Sequence, residues 1–377
     1  MNSREFVQQF NEYPILQELE RELAAGKTRF GIQNSIGSFK SVLFAHLQKH
    51  TDRSLLILCN DQEHAEYVYT DLQVFTDHNY VFLWKDSFRR SFDLTIPEST
   101  KIQSKASVLD ALSDLDEAKI VVTYPEAFVE KIVQQETFQK SKITFKVGEE
   151  VDLDFLIEIL NEYAFYREDF VYEPGQFSIR GGIIDLFSYA SDLPFRLELD
   201  GRTIESIREF DPISQLSTRK LVRATVVPNV QESGRENGHT DIFEYLGKRP
   251  IVCAYDLPYL FAKLEKGWEK AKEKSTDEHN PTDLYFDEAS IANQLQKKPV
   301  IEFSSQTFFR PTIKLKFNQV PQPPVNKNFN LLIDTLKSLD AKKYTTLIFS
   351  ESAKQIERLE SIFDDLESGY TIQPVYK

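Results

Sequence analysis

The side chains best spaced for chemistry are Lys40 and Ser41, in the stretch TRFGIQNSIGSFKSVLFAHL. In a nucleotide-binding P-loop, glycines let the backbone wrap the phosphates, the lysine meets the β- and γ-phosphate oxygens, and the serine or threonine holds magnesium. Lys40 and Ser41 stand correctly at the head of an apolar helix. The two glycine positions hold Asn34 and Phe39, and a phenyl ring would fill space that phosphate needs. The sequence therefore predicts a degenerate, non-functional nucleotide site.

A second element of nucleotide chemistry is also incomplete. A P-loop motor needs carboxylates at the end of a buried strand to hold magnesium and activate water. The apolar run Ile251 to Ala254 is followed by Asp256 alone, without the expected second carboxylate. Because both elements are defective, we predict that this chain has no catalytic residues, no ATPase activity and no cofactor of its own.

His46 and His50 stand four residues apart on the same predicted helix, which is the spacing of two metal ligands. No glutamate follows His46 as it does in zinc proteases, and the sequence shows no third ligand nearby. We therefore predict a packing or surface role for the pair and no metal site.

Composition narrows the class of protein. The formal net charge of −14 over 377 residues argues against general coating of nucleic acid, which relies on Lys and Arg. Cys59 and Cys253 lie in apolar runs and are typical of buried thiols in a reducing compartment. Neither a signal peptide nor an apolar segment of membrane length is present, so we predict a cytoplasmic protein without a membrane partner.

Two kinds of element must position these residues. Apolar runs typical of buried parallel strands alternate with helical patterns, and they occupy residues 54–59, 80–83, 119–123, 251–254 and 299–303. This alternation predicts an α/β fold with a parallel sheet. The stretch EPGQFSIRGGIIDLFSYASDLPFRLELDGRTIESIREFD, from Glu173, instead predicts three antiparallel strands, with Gly181-Gly182 as a bulge or close backbone approach in the first and Asp200-Gly201 as a hairpin turn.

Four arginines are predicted to point outward from these strands: Arg180, Arg196, Arg202 and Arg208. The residues alone favour cross-strand ion pairs with Glu198, Glu205, Glu209 and Asp211. A surface that binds a partner is the alternative.

The motifs RGGIIDLF, PFRLELDG and IESIREFD, in that order, resemble the UvrB family and, more closely, the N-terminal part of the transcription-repair coupling factors. The resemblance implies an inserted domain that binds UvrA, through the arginine of the R-G motif and the arginine of the next strand, which here are Arg180 and Arg196. Arginine suits this task because its planar group makes two-pronged bonds to carboxylates. We include Asp200 and Arg202 in the predicted UvrA surface, although Leu199-Asp200 replaces an aromatic pair common in the family.

The resemblance also divides the chain. Residues 1–130 and 223–320 form the two halves of a degenerate P-loop-type sheet domain, residues 131–222 form the inserted smaller α/β domain, and residues 327–377 begin a further α/β domain. That last part has one predicted strand, Tyr344 to Ser350, which cannot close a sheet. We therefore expect a piece of a longer protein, whose missing C-terminal part would bind RNA polymerase and double-stranded DNA and hold a motor that uses ATP and Mg.

Two functions follow. The first is an interaction module that recruits UvrA to stalled RNA polymerase in nucleotide excision repair, without ATPase activity. The alternative is a UvrB-like, ATP-dependent DNA-repair helicase subunit that binds nucleotide and DNA directly. UvrB clamps damaged DNA with a long aromatic hairpin, and the corresponding interval from Trp84 to Thr100 is too short for one, which favours the first.

Overall fold

The computed structural model describes residues 3–87, 99–113, 117–229, 238–273, 280–322, 324–346, 348, 350 and 352–372. Its strands, in chain order, are β1 (Arg29–Gln33), β2 (Leu55–Leu58), β3 (Val81–Leu83), β4 (Ile120–Thr123), β5 (Ile132–Val133), β6 (Ile143–Lys146), β7 (Tyr166–Arg167), β8 (Gln176–Arg180), β9 (Ile183–Leu186), β10 (Phe195–Asp200), β11 (Thr203–Phe210), β12 (Ser217–Leu221), β13 (Arg223–Val226), β14 (His239–Thr240), β15 (Ile251–Ala254), β16 (Val300–Glu302) and β17 (Ile313–Lys316).

Helices cover and connect these strands. They are α1 (Ser3–Gln8), α2 (Pro14–Ala24), α3 (Phe39–His50), α4 (Gln62–Phe75), α5 (Ser99–Leu112), α6 (Pro125–Phe128), α7 (Gln135–Lys140), α8 (Leu153–Glu162), α9 (Leu257–Glu273), α10 (Pro281–Leu284), α11 (Glu288–Gln296), α12 (Phe329–Ala341) and α13 (Ala353–Asp365), with 3₁₀ turns at His78–Tyr80 and Ile242–Leu246. Within the described residues, no helix has both the length and the apolar character needed to cross a bilayer.

The first sheet is parallel throughout and has the strand order β17-β1-β16-β15-β2-β4-β3. Its central strands are buried on both faces, and every residue of β2, β4 and β15 is inaccessible, as expected where helices cover a parallel sheet. The α/β prediction is confirmed, and the five predicted runs form β2, β3, β4, β15 and β16. Two strands of this sheet, β1 and β17, are not among the predicted runs. Strand β17 is an edge strand in which Lys314 and Lys316 alternate with apolar residues.

The second sheet has the order β12-β11-β10-β9-β8-β7 and is antiparallel except for the short β7–β8 pair. The predicted first strand is two strands, because Gly181-Gly182 forms the hairpin turn between Arg180 and its partner Ile183. The prediction of a bulge at the glycine pair is therefore wrong, whereas the prediction of a close backbone approach is confirmed. A Cβ on Gly182 would lie 3.0 Å from the carbonyl oxygen of Leu199.

The two faces of the second sheet differ. One face carries Ile184, Leu186 and Leu197, which join the large core shared with the parallel sheet. The opposite face is mostly polar and has a small apolar cluster of its own, formed by Val171, Phe187 and Phe210. The alternation of β10 predicted in sequence is what separates these faces.

A two-stranded ribbon joins the second sheet to the rest of the chain. Strand β6 enters the region and β13 leaves it, and the two pair antiparallel with Ile143 opposite Val226. Helix α8 follows the ribbon, and its buried residues Leu156 and Leu160 join the shared core.

The two ends of the chain are helical. Near the start, α1 and α2 are separate helices, because Pro14 starts the second and restricts the residue before it. The strand predicted at 344–350 is absent from the described residues of that segment, 344–346, 348 and 350. Helices α12 and α13 pack there through Ile333, Leu336 and Phe363.

Candidate functional site

The polar face of the second sheet is organised around Asp185, whose side chain is fully buried in β9. Arg196 lies opposite Asp185 on β10, and its Nε and Nη2 donate to the two carboxylate oxygens at 2.7 and 2.8 Å. Arg180 on β8 donates to the same carboxylate, with Nη2 2.7 Å from Oδ2. One buried carboxylate therefore holds two of the three arginines in the predicted UvrA surface, Arg180 and Arg196.

Each arginine also lies over an aromatic ring. The guanidinium carbon of Arg196 is 4.3 Å from the ring centre of Phe210, and that of Arg180 is 4.5 Å from the ring centre of Phe170. Hydrogen bonds to Asp185 raise the pKa of Arg196, against the effect of burial. Ring stacking fixes the planes in which the two guanidinium groups donate.

The two arginines differ in what they can reach. Arg196 is 16% exposed and also donates to the backbone oxygen and to Oε1 of Gln215, each at 3.2 Å. Arg180 is 36% exposed. Most donors of Arg196 are thus bonded inside the molecule, whereas Arg180 presents a larger part of its guanidinium to solvent.

Exposed apolar side chains surround this network. Phe170 and Tyr172 lie in the segment before β8 and are 45% and 53% exposed, and Ile213 and Leu216 lie in the turn after β11 and are 87% and 70% exposed. We call these four residues the apolar rim. Asp211 Oδ1 accepts hydrogen bonds from the backbone N–H groups of Ile213 and Ser214, which shapes that turn. A charged centre with an apolar rim is typical of a surface that binds a protein.

Asp200 and Arg202 lie elsewhere. They flank Gly201 at the β10–β11 hairpin, where Gly201 has φ +63° and Asp200 pairs with Thr203. Asp200 is four residues along the strand from Arg196, which is about 13 Å at the rise of an extended strand. The structure confirms the hairpin and brings neither residue into the Asp185 network.

The predicted cross-strand ion pairs are present in part. Arg208 Nη2 lies 2.7 Å from Glu198 Oε2, and Arg219 Nη2 lies 2.8 Å from Glu209 Oε1. For Arg180 and Arg196 the acidic partner is Asp185. The sequence analysis missed that residue, although a single aspartate inside the apolar strand IIDLF is a usable signal for a buried, paired carboxylate.

The degenerate nucleotide site lies between β1 and α3. Asn34 takes the left-handed conformation, φ +57°, that a glycine would adopt freely. The ring of Phe39 packs with Phe10, Tyr13 and Phe317, at centroid distances of 5.4, 6.4 and 5.1 Å. Phe39 is thus a member of an aromatic cluster between α1, α2 and the end of β17.

The remaining residues of this site have new neighbours. Ser41 is buried, and its hydroxyl donates to Asp71 Oδ2 at 3.1 Å. Asp256 Oδ1 accepts from the backbone N–H of Tyr259 at 3.0 Å and so caps the start of α9. Lys40 and Asp256 both line a cleft of about 330 Å³, together with Asn60, Tyr255 and residues 303–306.

Burial lowers the pKa of Lys40, whose ammonium lies 5.2 Å from the ring centre of Tyr255. The structure therefore brings Lys40 and Asp256 to one cleft. It places Asn34, Phe39 and Ser41 outside the lining of that cleft.

The second sheet lies in a part of the chain that matches a known protein family. Residues 143–231 match the UvrB interaction domain family, a range that begins with β6 and includes the whole second sheet and β13. The chain is 27% identical over 232 residues to the transcription-repair-coupling factor of Bacillus subtilis, which covers 60% of this chain and 19% of that protein.

Two further relatives agree. Identity is 26% over 204 residues with the transcription-repair-coupling factor of Staphylococcus haemolyticus, covering 52% of this chain and 17% of that protein. It is 29% over 182 residues with that of Staphylococcus aureus, covering 48% and 15%. The chain thus spans less than a fifth of the length of these relatives. The chain thus matches the UvrB interaction domain over residues 143–231 and resembles the N-terminal module of the transcription-repair-coupling factors, Mfd.

Proposed function

We propose that this chain is the N-terminal module of a transcription-repair coupling factor that acts in the cytoplasm and recruits UvrA to stalled RNA polymerase in nucleotide excision repair. The observation that carries the proposal is the coincidence of the UvrB interaction domain with the sheet that holds Arg180 and Arg196. The remainder of the protein binds RNA polymerase and double-stranded DNA and holds the motor that uses ATP and Mg.

At the surface itself, we assign different roles to the two arginines. Arg180 contacts UvrA, because it is the more exposed and a guanidinium has N–H donors beyond the one that bonds Asp185. Arg196 is a positioning residue, because its donors orient Asp185 and hold the turn at Gln215. The apolar rim of Phe170, Tyr172, Ile213 and Leu216 then supplies the desolvated surroundings that strengthen the Arg180 contact. Asp200 and Arg202 extend the surface at its far end.

UvrA binding by single variants tests this assignment. We expect Arg180→Ala and Arg196→Ala each to weaken the affinity for UvrA at least tenfold, about 1.4 kcal/mol. Arg219→Ala is the matched control, since it removes a cross-strand arginine of the same sheet, paired with Glu209, and we expect unchanged affinity. A double variant of Arg180 and Arg196 that keeps its fold, measured by circular dichroism, and binds UvrA as the wild type does would refute the proposal.

We also propose that the module hydrolyses no ATP and needs no cofactor. Three contacts support this: Phe39 lies in an aromatic cluster, the Ser41 hydroxyl bonds Asp71, and Asp256 caps α9. Each residue of the degenerate site apart from Lys40 and Asn34 thus has a structural partner.

The cleft that holds Lys40 and Asp256 favours the alternative, a UvrB-like helicase subunit that binds nucleotide. Titration calorimetry with ATP and magnesium separates the two. We expect no saturable binding by this chain. Saturable binding that Lys40→Ala abolishes would support the alternative and contradict the scaffold role.

A further inference from the structure

Three potential metal ligands meet between α2 and α3. In sequence, both helices lie outside the residues that match the UvrB interaction domain. A carboxylate oxygen of Glu20 and one ring nitrogen each of His46 and His50 all lie within 4.8 Å of one another. The sequence analysis found no third ligand for the histidine pair. Glu20 supplies a third potential ligand atom, which was missed because it is on another helix.

His46 is the centre of this group. Its side chain is 1% exposed, and its Nε2 lies 2.5 Å from Glu20 Oε1. Neither ring nitrogen of His46 has a hydrogen bond of acceptable geometry, and neither does Glu20 Oε1. A buried polar side chain in a folded protein ordinarily has well-formed hydrogen bonds, so the unsatisfied ring nitrogens of His46 indicate that this group lacks a further ligand.

His50 completes the set on the same face of α3. Its Nδ1 is 3.6 Å from Glu20 Oε1 and 2.9 Å from the backbone oxygen of His46, and the two imidazole rings are 4.2 Å apart. If Nδ1 donates to that carbonyl, the lone pair is left on Nε2, which is the arrangement that orients histidine ligands in metal sites.

The chemistry of the three groups is that of a zinc-class site. Imidazole nitrogens and one carboxylate oxygen bind divalent zinc, at about 2.0–2.2 Å, and ligand atoms of a tetrahedral site are then about 3.3 Å apart. The ligand atoms of the three side chains all lie within 4.8 Å of one another, so small side-chain rotations bring them to that spacing.

We propose that Glu20, His46 and His50 bind a divalent first-row transition metal ion of the zinc class. Glu20 and His50 are 27% and 30% exposed, so a water molecule can take the fourth position. The ion links α2 to α3, the helix that begins at Phe39 and Lys40, and its role is to fix the first helices against the parallel sheet.

The experiment uses the chain without a polyhistidine tag, stripped with a chelator and titrated with zinc. We expect one zinc ion per chain, a rise of a few degrees in the unfolding midpoint with saturating zinc, and no such rise with magnesium, which prefers oxygen ligands. We expect His50→Ala and Glu20→Gln each to weaken zinc binding at least tenfold.

His78→Gln is the control, because His78 is 69% exposed and lies outside the cluster, and it should bind zinc as the wild type does. His50 is at the last position of α3, so its substitution keeps the helix intact, and circular dichroism checks this. Equal zinc affinity in wild type and His50→Ala, or no stoichiometric binding by the wild type, would overturn the proposal and leave a simple contact between Glu20 and His46.

Discussion

Glu130 in the parallel-sheet region and Asp185 in the second sheet are both buried carboxylates beside basic groups, and the two sites differ in access to solvent. In the parallel-sheet region, Glu130 contacts Lys105 with both side chains 2% exposed, and it also accepts hydrogen bonds from the backbone N–H and hydroxyl of Ser87. In the second sheet, Asp185 is equally buried, but its partners Arg180 and Arg196 are 36% and 16% exposed.

The difference separates two uses of buried charge. A pair that is sealed from solvent contributes to the fold alone, since no partner protein can reach it. A buried carboxylate whose arginines extend outward fixes donors at the surface in one geometry, which is what recognition of a carboxylate requires. The same chemical pairing is therefore sealed from solvent in one sheet and partly open to it in the other.

The largest expected loss of stability is at the pair of Glu130 and Lys105, which is sealed from solvent. Glu130→Ala leaves the Lys105 ammonium buried without its carboxylate, and we expect a loss of about 3–5 kcal/mol in the free energy of unfolding. Urea denaturation measures this, and Glu209→Ala, at a surface pair, should cost less than about 1 kcal/mol. Under native conditions the affinity of Glu130→Ala for UvrA should be that of the wild type. Weaker UvrA binding by the folded variant would contradict the comparison.

Asp185→Asn addresses the open network. The amide keeps the size of the side chain and removes the charge to which both arginines donate, so we expect a loss of about 1.5–3 kcal/mol in unfolding free energy. In contrast to Glu130→Ala, the affinity for UvrA should fall at least tenfold, because Arg180 loses its orientation. Unchanged affinity in a folded Asp185→Asn variant would show that the buried carboxylate has no part in recognition.

Restoring the P-loop glycines tests whether the parallel sheet has kept any nucleotide chemistry. We expect Asn34→Gly with Phe39→Gly to cost about 1–2 kcal/mol, less than the 3–5 typical of a fully buried ring, because Phe39 is only partly buried in its aromatic cluster. Titration calorimetry should still detect no ATP binding by the double variant, since the Ser41 hydroxyl remains bonded to Asp71. ATP binding by this double variant would show that the ring alone blocks the site.

The smallest effect concerns pH. Burial lowers the pKa of His64 and of His239 below the ordinary 6.5, against the opposing effects of Asp61 and Asp283. The unfolded chain then binds more protons than the folded chain. The contribution of these histidines to the free energy of unfolding is therefore fully present above the ordinary histidine pKa, and it declines as the pH falls below that pKa. All six histidines lie outside residues 143–226, so the parallel-sheet region should lose stability first.

Thermal unfolding at pH values from about 7.5 to about 5.5, on either side of the ordinary histidine pKa, measures this decline. His64→Gln should reduce the dependence on pH, and His78→Gln, at an exposed position, should not. Equal dependence in the two variants would assign the decline to other groups.

The sequence predicts what depends on local pattern. Alternation in β10 and continuous apolar runs in β2, β4 and β15 identify the strands, because burial on one face or on two imposes those periods. The capping role of Asp256 is also local, since the Leu-Pro that follows it is typical of a helix start. From the sequence, Asp256 was considered only as a magnesium-binding carboxylate.

Contacts between distant elements escape such patterns. The sequence shows that Phe39 is unsuited to phosphate, and only the packing of α1, α2 and β17 shows that its ring has aromatic neighbours. Likewise Arg180 and Arg196 are recognisable as candidates, but their sharing of Asp185 depends on the register of three strands. Register, not composition, decides which of the two is available to a partner.

The ribbon of β6 and β13 has a practical consequence. Because Ile143 and Val226 are partners in it, the polypeptide enters and leaves the UvrB interaction domain at a single point. A unit with adjacent ends can be transplanted into a loop of an unrelated carrier protein, or replaced by a short turn, without stretching the chain on either side. We therefore expect the proposed UvrA-binding surface to be transferable between proteins as one piece.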